Sequence, residues 1–216
     1  MTNVGSMNLS RGYETYAAKM RAYALEGKDL EADVRFVDML LSSRPAHVLD
    51  IGCGIGNAVN GLRKRGHVAF GIDPTDDVLK VARELYDPAW FREMTAEDAL
   101  NDALVQNDLP AYYDAVLLSG NVASFLEPSE LRLIFARTEK ILMPGGKLVI
   151  GTTTAARGGP TDQDRAASGS ALSLIHRFSD WHLGKFELDS PWSVSVYSVA
   201  GSKASADSSG IFILKN

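Results

Sequence analysis

The segment Val48-Leu49-Asp50-Ile51-Gly52-Cys53-Gly54-Ile55-Gly56 decides the fold of this 216-residue chain. The apolar run from Ala46 to Ile51 is typical of a buried strand, and three glycines at alternate positions follow it. An amphipathic stretch from Asn57 through Leu62 then indicates a helix. A strand, a glycine turn and a helix together form the first βα unit of a nucleotide-binding sheet. The glycines allow a tight turn that approaches a ligand closely, and the helix N-terminus offers free N–H groups.

The spacing of the glycines limits the classes of ligand that the turn is expected to bind. They follow the pattern G-x-G-x-G, whereas the turn that cradles a dinucleotide pyrophosphate follows G-x-G-x-x-G, and the acid Asp50 lies two places ahead of them. The string V-L-D-I-G-C-G-I-G resembles the first motif of class I S-adenosylmethionine-dependent methyltransferases. The resemblance implies that the turn lies against the methionine part of the cofactor and that no phosphate is bound. The residues to which it gives cofactor-binding roles are Asp50, Gly52, Cys53, Gly54 and Gly56. The alternative is a glycine-rich turn in another α/β protein.

The composition is ordinary for a globular protein. Apolar residues make up 45% and charged residues 23% of the chain, and the formal net charge is −5. This charge argues against a nucleic-acid or anionic-membrane partner, which needs clustered Lys and Arg. The single cysteine excludes an intramolecular disulfide and a cysteine cluster for zinc. Because Met1 to Arg11 lacks the apolar core of a signal peptide and no segment approaches a membrane span, we expect a cytoplasmic protein.

Strand-like and helix-like segments alternate along most of the chain. Two helices, at Tyr13–Ala24 and Leu30–Leu41, precede the first strand, and Asp29 is the expected N-cap of the second helix. The predicted strands are Val48–Ile51, Val68–Ile72, Trp90-Phe91, Ala115–Leu118, Lys147–Gly151, Ala171–Phe178 and Trp192–Val199. The predicted helices between them are Asn57–Leu62, Asp76–Leu85, a turn near Asp98–Val105, and Ser129–Leu142, which Pro144-Gly145-Gly146 ends. Thr152–Asp164, after the fifth strand, is predicted to be a loop.

This alternation predicts an α/β fold with a doubly wound, Rossmann-like, mostly parallel sheet. The last two strands predict an antiparallel β-hairpin at one sheet edge, because no helical pattern separates them. Five alternating strands followed by a hairpin resemble the seven-stranded methyltransferase sheet. We expect a single domain, with covering helices in residues 1–44 and the cofactor-binding core in residues 45–200. The tail, residues 201–216, is rich in Ser, Ala and Gly, as flexible segments are.

The second strand end supplies a candidate ribose ligand. In open α/β sheets the ligand lies beyond the carboxyl ends of the strands. Asp73 ends the second strand about 20 residues after the glycine turn, where an acid can accept hydrogen bonds from ribose hydroxyls. The family resemblance implies that Asp73 binds both hydroxyls, and we include Pro74 in the same site. An N-cap role for Asp73 is the alternative.

The third strand end departs from the family pattern. Family members often have an acid here that holds the adenine amino group, and this position falls at Met94. Two interpretations remain open. In the first, Glu97 or Asp98 takes the role of the acid. In the second, Met94 packs on the adenine, and only the backbone of Thr95 or Ala96 bonds it.

The fourth strand runs into Ser119-Gly120-Asn121. The phrase L-L-S-G-N-V-A-S-F-L resembles a subgroup of small, largely bacterial methyltransferases of unassigned substrate, in which this segment lies beside the sulfonium of the cofactor. Gly120 would allow close backbone approach and Asn121 could bond a carbonyl or the substrate. A simple strand-to-helix turn is the alternative. A tyrosine before the glycine turn covers the cofactor in related enzymes, which makes Tyr13 and Tyr16 candidates, with core packing as their alternative role.

Candidate catalytic residues come from the histidines. A general base is needed only if the methyl acceptor arrives protonated. His176 and His182 lie in or beside the terminal hairpin, which borders the acceptor pocket in this fold, so either could be that base. A packed or exposed histidine is the alternative, and we interpret His47 and His67 as structural or solvated. Residues that would shape the pocket are Arg157, Arg177 and Trp181.

Three functions compete at this stage. The first is transfer of a methyl group from S-adenosylmethionine to an oxygen or nitrogen of a small-molecule acceptor, without a metal, by a protein that could act as a homodimer. The second is a nicotinamide-dependent oxidoreductase, NAD(P)-linked and of Rossmann type, which the glycine spacing disfavours. The third is a non-catalytic protein that binds S-adenosylmethionine, which the missing acid at Met94 leaves open.

Overall fold

The structure, a computed structural model, describes residues 15, 18–23, 25–41, 44–99 and 101–199. Residues 18–23 are helical. The strands are β1 (His47–Ile51), β2 (Val68–Asp73), β3 (Phe91–Glu93), β4 (Tyr113–Leu118), β5 (Leu142–Thr153), β6 (Leu172–Phe178) and β7 (Trp192–Val199). The helices are α1 (Ala32–Leu40), α2 (Asn57–Lys64), α3 (Asp76–Leu85), α4 (Asn101–Gln106), α5 (Val122–Phe125), α6 (Pro128–Ile141) and α7 (Pro160–Ala167). Short 3₁₀ turns occupy Pro88–Trp90 and Ala96–Asp98.

The seven strands form one sheet in the order β3-β2-β1-β4-β5-β7-β6. The strands β1 to β5 pair in parallel, and β7 lies antiparallel between β5 and β6. The chain runs outward from β1 to β3 and then crosses back to β4, so the strand order reverses between the neighbouring strands β1 and β4. At such a point the loops diverge and leave a crevice at the carboxyl ends of the strands. The predicted fold class and the edge hairpin are therefore confirmed.

Helices cover both faces of this sheet because the strands are apolar on both sides. Successive strand residues point to opposite faces. Leu49 and Ile51 of β1 belong to one apolar cluster, with Ile134 and Phe135 of α6. Val48 of β1 belongs to a second cluster. The helical members of that cluster include Val34, Phe36 and Val37 of α1, Leu62 of α2 and Leu79 of α3. The helix α1 is thereby held next to the glycine turn.

Three local predictions were wrong. The loop predicted at Thr152–Asp164 runs into helix α7, which has Pro160 at its first turn and buries only Gln163 and Ala166. So polar a helix shows little apolar periodicity. The segment Pro144-Gly145-Gly146 belongs to β5, which begins at Leu142 directly after α6.

The third error concerns the start of α1. Glu31, not Asp29, occupies its N-cap position. Asp29 instead accepts a hydrogen bond from the Glu31 N–H, at 3.1 Å, and pairs with Arg35. The tail at 201–216 and the predicted tyrosines Tyr13 and Tyr16 lie outside the described residues. Within the described ranges no helix is long and apolar enough to cross a membrane.

Candidate functional site

A cavity of about 280 Å³ opens at the carboxyl ends of β1 and β4. One wall is the glycine turn, with Asp50, Gly52, Cys53 and Gly54, together with Ser119 and Gly120 after β4. The other wall comes from the segment leading into α1 and from the chain around β7. Its polar and aromatic members are Asp29, Asp33, Trp181 and Trp192. The sheet crevice and the cavity therefore coincide, as expected for a ligand site in an open α/β sheet.

The glycine turn is shaped by the protein's own packing as well as by ligand access. Gly52 and Gly56 have φ of 73° and 80°, in the left-handed region that disfavours other residues. A Cβ on Gly52 would lie 2.6 Å from the Val122 side chain, and one on Gly56 would lie 2.5 Å from the Phe91 ring. Both glycines therefore let neighbouring side chains pack tightly against the turn. Cys53 is buried there, and its side chain lies against Gly71.

Asp50 lines the cavity and has a buried carboxylate oxygen without a hydrogen-bond partner among the described residues. The residue is only 2% exposed, and the oxygen without a partner is its Oδ1. Burial raises the pKa of this carboxyl well above its usual range, and the neighbouring carboxylates of Asp33 and Asp73 raise it further. A buried acceptor without a donor is costly, so this oxygen marks a place where a ligand donor or cation would be stabilised.

Asp73 ends β2 beside the same turn. Its Oδ2 accepts a hydrogen bond from the Gly54 N–H at 3.0 Å, and its Oδ1 accepts one from the Thr75 N–H at 2.8 Å. Burial raises the pKa of Asp73, and the two backbone hydrogen bonds oppose that rise. Each carboxylate oxygen can accept a second hydrogen bond, so the side chain still has capacity for ligand hydroxyls. The adjacent Pro74 is exposed.

Asp33 is a site residue that the sequence analysis missed. It lies in the first turn of α1, lines the cavity and is partly buried. Its Oδ1 accepts a hydrogen bond from the Val34 N–H at 2.8 Å. Burial raises the pKa of Asp33, and hydrogen bonding with the Ser119 hydroxyl opposes the rise. Only the tertiary contact between α1 and the end of β4 brings this acid to the site.

The polar residues Thr95 and Asp98 in the segment after β3 form hydrogen bonds with each other. Thr95 and Asp98 form a capping box around the turn Ala96–Asp98: the Thr95 hydroxyl donates to Asp98 Oδ2 at 2.7 Å and accepts from the Asp98 N–H at 3.2 Å. Met94 is 7% exposed and packs in the cluster that contains Ile72 and Ala99. Asp98 is thus already engaged, while Glu97 is exposed. Both interpretations of adenine binding stay predictions.

The segment after β4 has two roles. Ser119 and Gly120 line the cavity, and no atom of the described residues lies within 4 Å of a Cβ placed on Gly120. Asn121 instead ties β4 to β5. Its Oδ1 accepts hydrogen bonds from the Thr153 N–H at 2.8 Å and from the Thr152 hydroxyl at 3.1 Å. Its φ of 70° also makes the left-handed turn into α5, so the geometry supports the turn that was the alternative interpretation.

Comparisons with known proteins agree with this geometry. A family profile described as "Methyltransferase domain" matches residues 48–146, which run from β1 into β5. The solved structure of a TehB-like SAM-dependent methyltransferase from Corynebacterium glutamicum is 25% identical and superposes with a TM-score of 0.75. That match covers 88% of this chain and 98% of the other. Residues 48–146 form a methyltransferase domain of the class I S-adenosylmethionine-dependent family.

Other relatives of this methyltransferase domain differ in the atom they methylate. A ubiquinone biosynthesis O-methyltransferase from Dechloromonas aromatica is 28% identical over 123 residues, which are 55% of this chain and 49% of that protein. A glycine N-methyltransferase from Rattus norvegicus is 34% identical over 124 residues, which are 51% of this chain and 42% of that protein. The chain thus spans about half or less of the length of these curated relatives.

Neither predicted catalytic histidine lines the cavity, although the pKa of the lining residue Asp29 is lowered by hydrogen bonds from Arg35 and Glu31 and, to a smaller extent, by the charge of His182. His176 is exposed on β6, with its ring stacked on Phe178 at 5.8 Å between centroids, and His182 is exposed in the loop before β7. His67 is buried: its Nδ1 lies 3.3 Å from the Ala46 backbone nitrogen and its Nε2 lies 2.8 Å from Asp38. His47 is exposed. A catalytic role for His176 or His182 remains a prediction.

The two arginines proposed to shape the pocket are engaged elsewhere. Arg157 pairs with Glu127, and Arg177 binds Asp164 through both terminal nitrogens, at 2.6 and 3.1 Å. Trp181, in contrast, lines the cavity. Among the described residues no group of three or more His, Cys, Asp or Glu side chains could hold a metal ion.

Proposed function

We propose that this protein transfers a methyl group from S-adenosylmethionine to an oxygen or nitrogen of a small-molecule acceptor. The observation that carries the proposal is Asp50, which lines the cavity beside the glycine turn and whose buried Oδ1 has no hydrogen-bond partner among the described residues. S-adenosylmethionine bears an ammonium and a sulfonium group, and a cation stabilises a carboxylate that burial otherwise disfavours. Asp50 therefore fits this cofactor better than it fits an anionic pyrophosphate.

The other residues of the turn wall fit the same cofactor. Asp73 keeps acceptor capacity for the ribose hydroxyls while its bonds to Gly54 and Thr75 hold the turn and the start of α3 in register. The open space at Gly120 allows close approach of a ligand to the backbone. The predicted cofactor contacts of Gly52, Cys53 and the segment after β3 belong to this proposal as well.

The protein's contribution to the reaction is binding and alignment. When bound, the cofactor supplies an electrophilic methyl group on a positively charged sulfur. The two cavity walls hold the acceptor in line with that group and exclude water. A base is required only for an acceptor that arrives protonated. Asp33, which lines the cavity from the first turn of α1, is the described carboxylate available for that proton.

A binding experiment separates this proposal from a nicotinamide-dependent oxidoreductase. We expect calorimetry to detect binding of S-adenosylhomocysteine, the demethylated product, and no binding of NADH or NADPH. Binding of a nicotinamide cofactor alone would overturn the proposal. The non-catalytic alternative is tested by turnover with S-adenosylmethionine that carries a radiolabelled methyl group and a cell-extract pool of metabolites. A labelled small molecule supports the enzyme, whereas tight cofactor binding without any labelled product supports a sensor or scaffold.

The proposal also covers the class of acceptor, the cellular location and the oligomeric state. The net charge of −5 and the acidic cavity favour a small molecule over nucleic acid as the acceptor. We further propose a cytoplasmic location, and size-exclusion chromatography with light scattering would test the predicted homodimer. A monomer at all concentrations would overturn the predicted homodimer and leave the proposed methyl transfer unaffected.

A further inference from the structure

We propose that the part of the cavity formed by the start of α1 and the chain around β7 binds the acceptor as an amine cation, with Asp33 as its carboxylate partner and Trp181 and Trp192 as its aromatic sides. The inference rests on the proposed function and names its acceptor class. It distinguishes amines from the phenols, alcohols and carboxylates that methyltransferases could also accept.

The first argument is the charge of the cavity. The described lining residues include the carboxylates of Asp29, Asp33 and Asp50 and no Lys, Arg or His. Asp29 is neutralised by Arg35, which gives it two hydrogen bonds of 2.8 and 2.9 Å. Asp33 takes part in no ion pair with any described residue. An anionic acceptor would be repelled by this wall, and a cation would be attracted to it.

The second argument is that two acids need compensation, and the cofactor compensates one. The carboxylate of Asp33 raises the pKa of Asp50, beyond the larger rise that burial causes, and Asp50 has a buried oxygen without a donor among the described residues. S-adenosylmethionine carries two positive groups and one carboxylate, so it brings one net positive charge. That positive charge compensates the negative charge of the Asp50 carboxylate beside the glycine turn. Asp33, in the first turn of α1, takes part in no ion pair with any described residue and is left for a second cation, which the acceptor supplies.

The third argument is the aromatic pair beside Asp33. The Trp181 ring meets Phe36 of α1 edge-on, with 5.5 Å between centroids, and packs so closely on Gly151 that a Cβ there would lie 2.2 Å from it. This packing fixes the ring at the cavity. Trp192 pairs with Thr153 of β5, and its buried Nε1 has no partner among the described residues. Indole faces attract ammonium groups, and the free indole N–H can donate to another polar atom of the ligand.

The same carboxylate can prepare the amine for methylation. A bound ammonium transfers one proton to the Asp33 carboxylate, which leaves a neutral amine with a free lone pair and a neutral carboxylic acid. Only this form of the nitrogen can accept a methyl group. Burial already raises the proton affinity of Asp33, and the Ser119 hydroxyl can orient it.

Three probes of similar shape test the charge preference: 2-phenylethylamine, 2-phenylethanol and phenylacetate. Calorimetry on the protein saturated with S-adenosylhomocysteine measures their dissociation constants, and quenching of tryptophan fluorescence gives a second readout. We expect the amine to bind at least ~10-fold more tightly than the alcohol, and the carboxylate more weakly still. Equal binding of the three probes, or binding of none, would overturn the proposal. This comparison uses the unmodified protein and depends on no variant.

Two variants then identify the carboxylate. D33N should abolish the preference for the amine and change the affinity for S-adenosylhomocysteine less than ~2-fold, whereas the matched control D102N, at an exposed acid of α4 that is not part of the cavity lining, should keep the preference. If D33N instead weakens S-adenosylhomocysteine and preserves the amine preference, Asp33 holds the ammonium of the cofactor and the proposal is wrong. If wild-type protein binds the amine but not S-adenosylhomocysteine, the amine site stands and the proposed function fails.

Discussion

The carboxylate of Asp73 binds the backbone of Gly54: its Oδ2 accepts the Gly54 N–H at 3.0 Å, while its Oδ1 accepts the Thr75 N–H at 2.8 Å. One side chain therefore joins the end of β2 to the glycine turn and to the start of α3. The residue expected to bind ribose also fixes the backbone against which the cofactor would lie. Binding and local stability are coupled at this position.

This coupling makes Asp73 a sensitive test of the site. D73A should weaken binding of S-adenosylhomocysteine by ~1–3 kcal/mol, because ribose hydroxyls and the Gly54 N–H both lose an acceptor. Calorimetry measures the loss. The matched control is D76A, which removes a half-buried acid of α3 that pairs with Lys80, and it should leave the affinity unchanged. An unaltered affinity in D73A would remove Asp73 from the cofactor site.

We expect the Asp50 carboxylate to lower the stability of the folded protein at neutral pH while it strengthens cofactor binding. A carboxyl whose pKa is raised by folding binds its proton more tightly in the folded state. Its contribution therefore becomes destabilising as the pH rises from the unfolded pKa of about 3.9 through the folded pKa. D50N removes this cost, so its gain in the free energy of unfolding should vanish in acid and grow toward neutral pH. Each kcal/mol gained raises Tm by roughly 2–4 °C in a domain of this size.

The same variant should bind S-adenosylhomocysteine more weakly, since the cation of the ligand loses its carboxylate partner. Thermal unfolding across a pH series and calorimetry measure the two effects. A variant that is less stable than wild type at neutral pH and binds with full affinity would contradict both expectations.

Gly151 tests the aromatic wall. G151A places a methyl group where the Trp181 ring lies, at 2.2 Å from its Cζ2 atom, so the ring must move. We expect a loss of ~1–3 kcal/mol in the free energy of unfolding and a shifted tryptophan emission spectrum. The control is G169A, whose Cβ would meet only the Ala166 carbonyl oxygen at 3.7 Å. Identical stability and spectra for the two variants would show that Trp181 is not packed on β5 as described.

Asn121 separates backbone conformation from hydrogen bonding. N121G keeps the left-handed turn but loses the acceptor for Thr152 and Thr153, and we expect it to cost ~1–2 kcal/mol of stability. N121A also strains the backbone, at ~1–2 kcal/mol more. Urea unfolding measures both. D108G changes another left-handed residue that is exposed and makes no side-chain hydrogen bond among the described residues, so it should be near neutral. A neutral N121G would mean that the link to β5 adds no stability.

Local patterns were sufficient to predict much of the fold. The apolar run into Gly52 predicts β1, and the helix at Asp76–Leu85 and the strand at Trp192–Val199 have the predicted bounds. The prediction failed where burial does not follow apolar periodicity. Helix α7 buries the polar Gln163, whose Nε2 donates to the Gly158 carbonyl oxygen at 2.8 Å. A polar side chain that is buried because it has a partner elsewhere leaves no periodic signal.

The sequence by itself determined the family, the order of strands and helices, and the candidate ligands at the strand ends, because strand, turn and helix are adjacent in the chain. Only the tertiary structure placed Asp33 of α1 beside Ser119 and brought Trp181 and Trp192 to the same cavity. These residues come from distant segments that meet through packing of α1 and the hairpin on the sheet. The wall expected to bind the acceptor therefore arises from long-range contacts, whereas the wall expected to bind the methyl donor arises largely from one local motif.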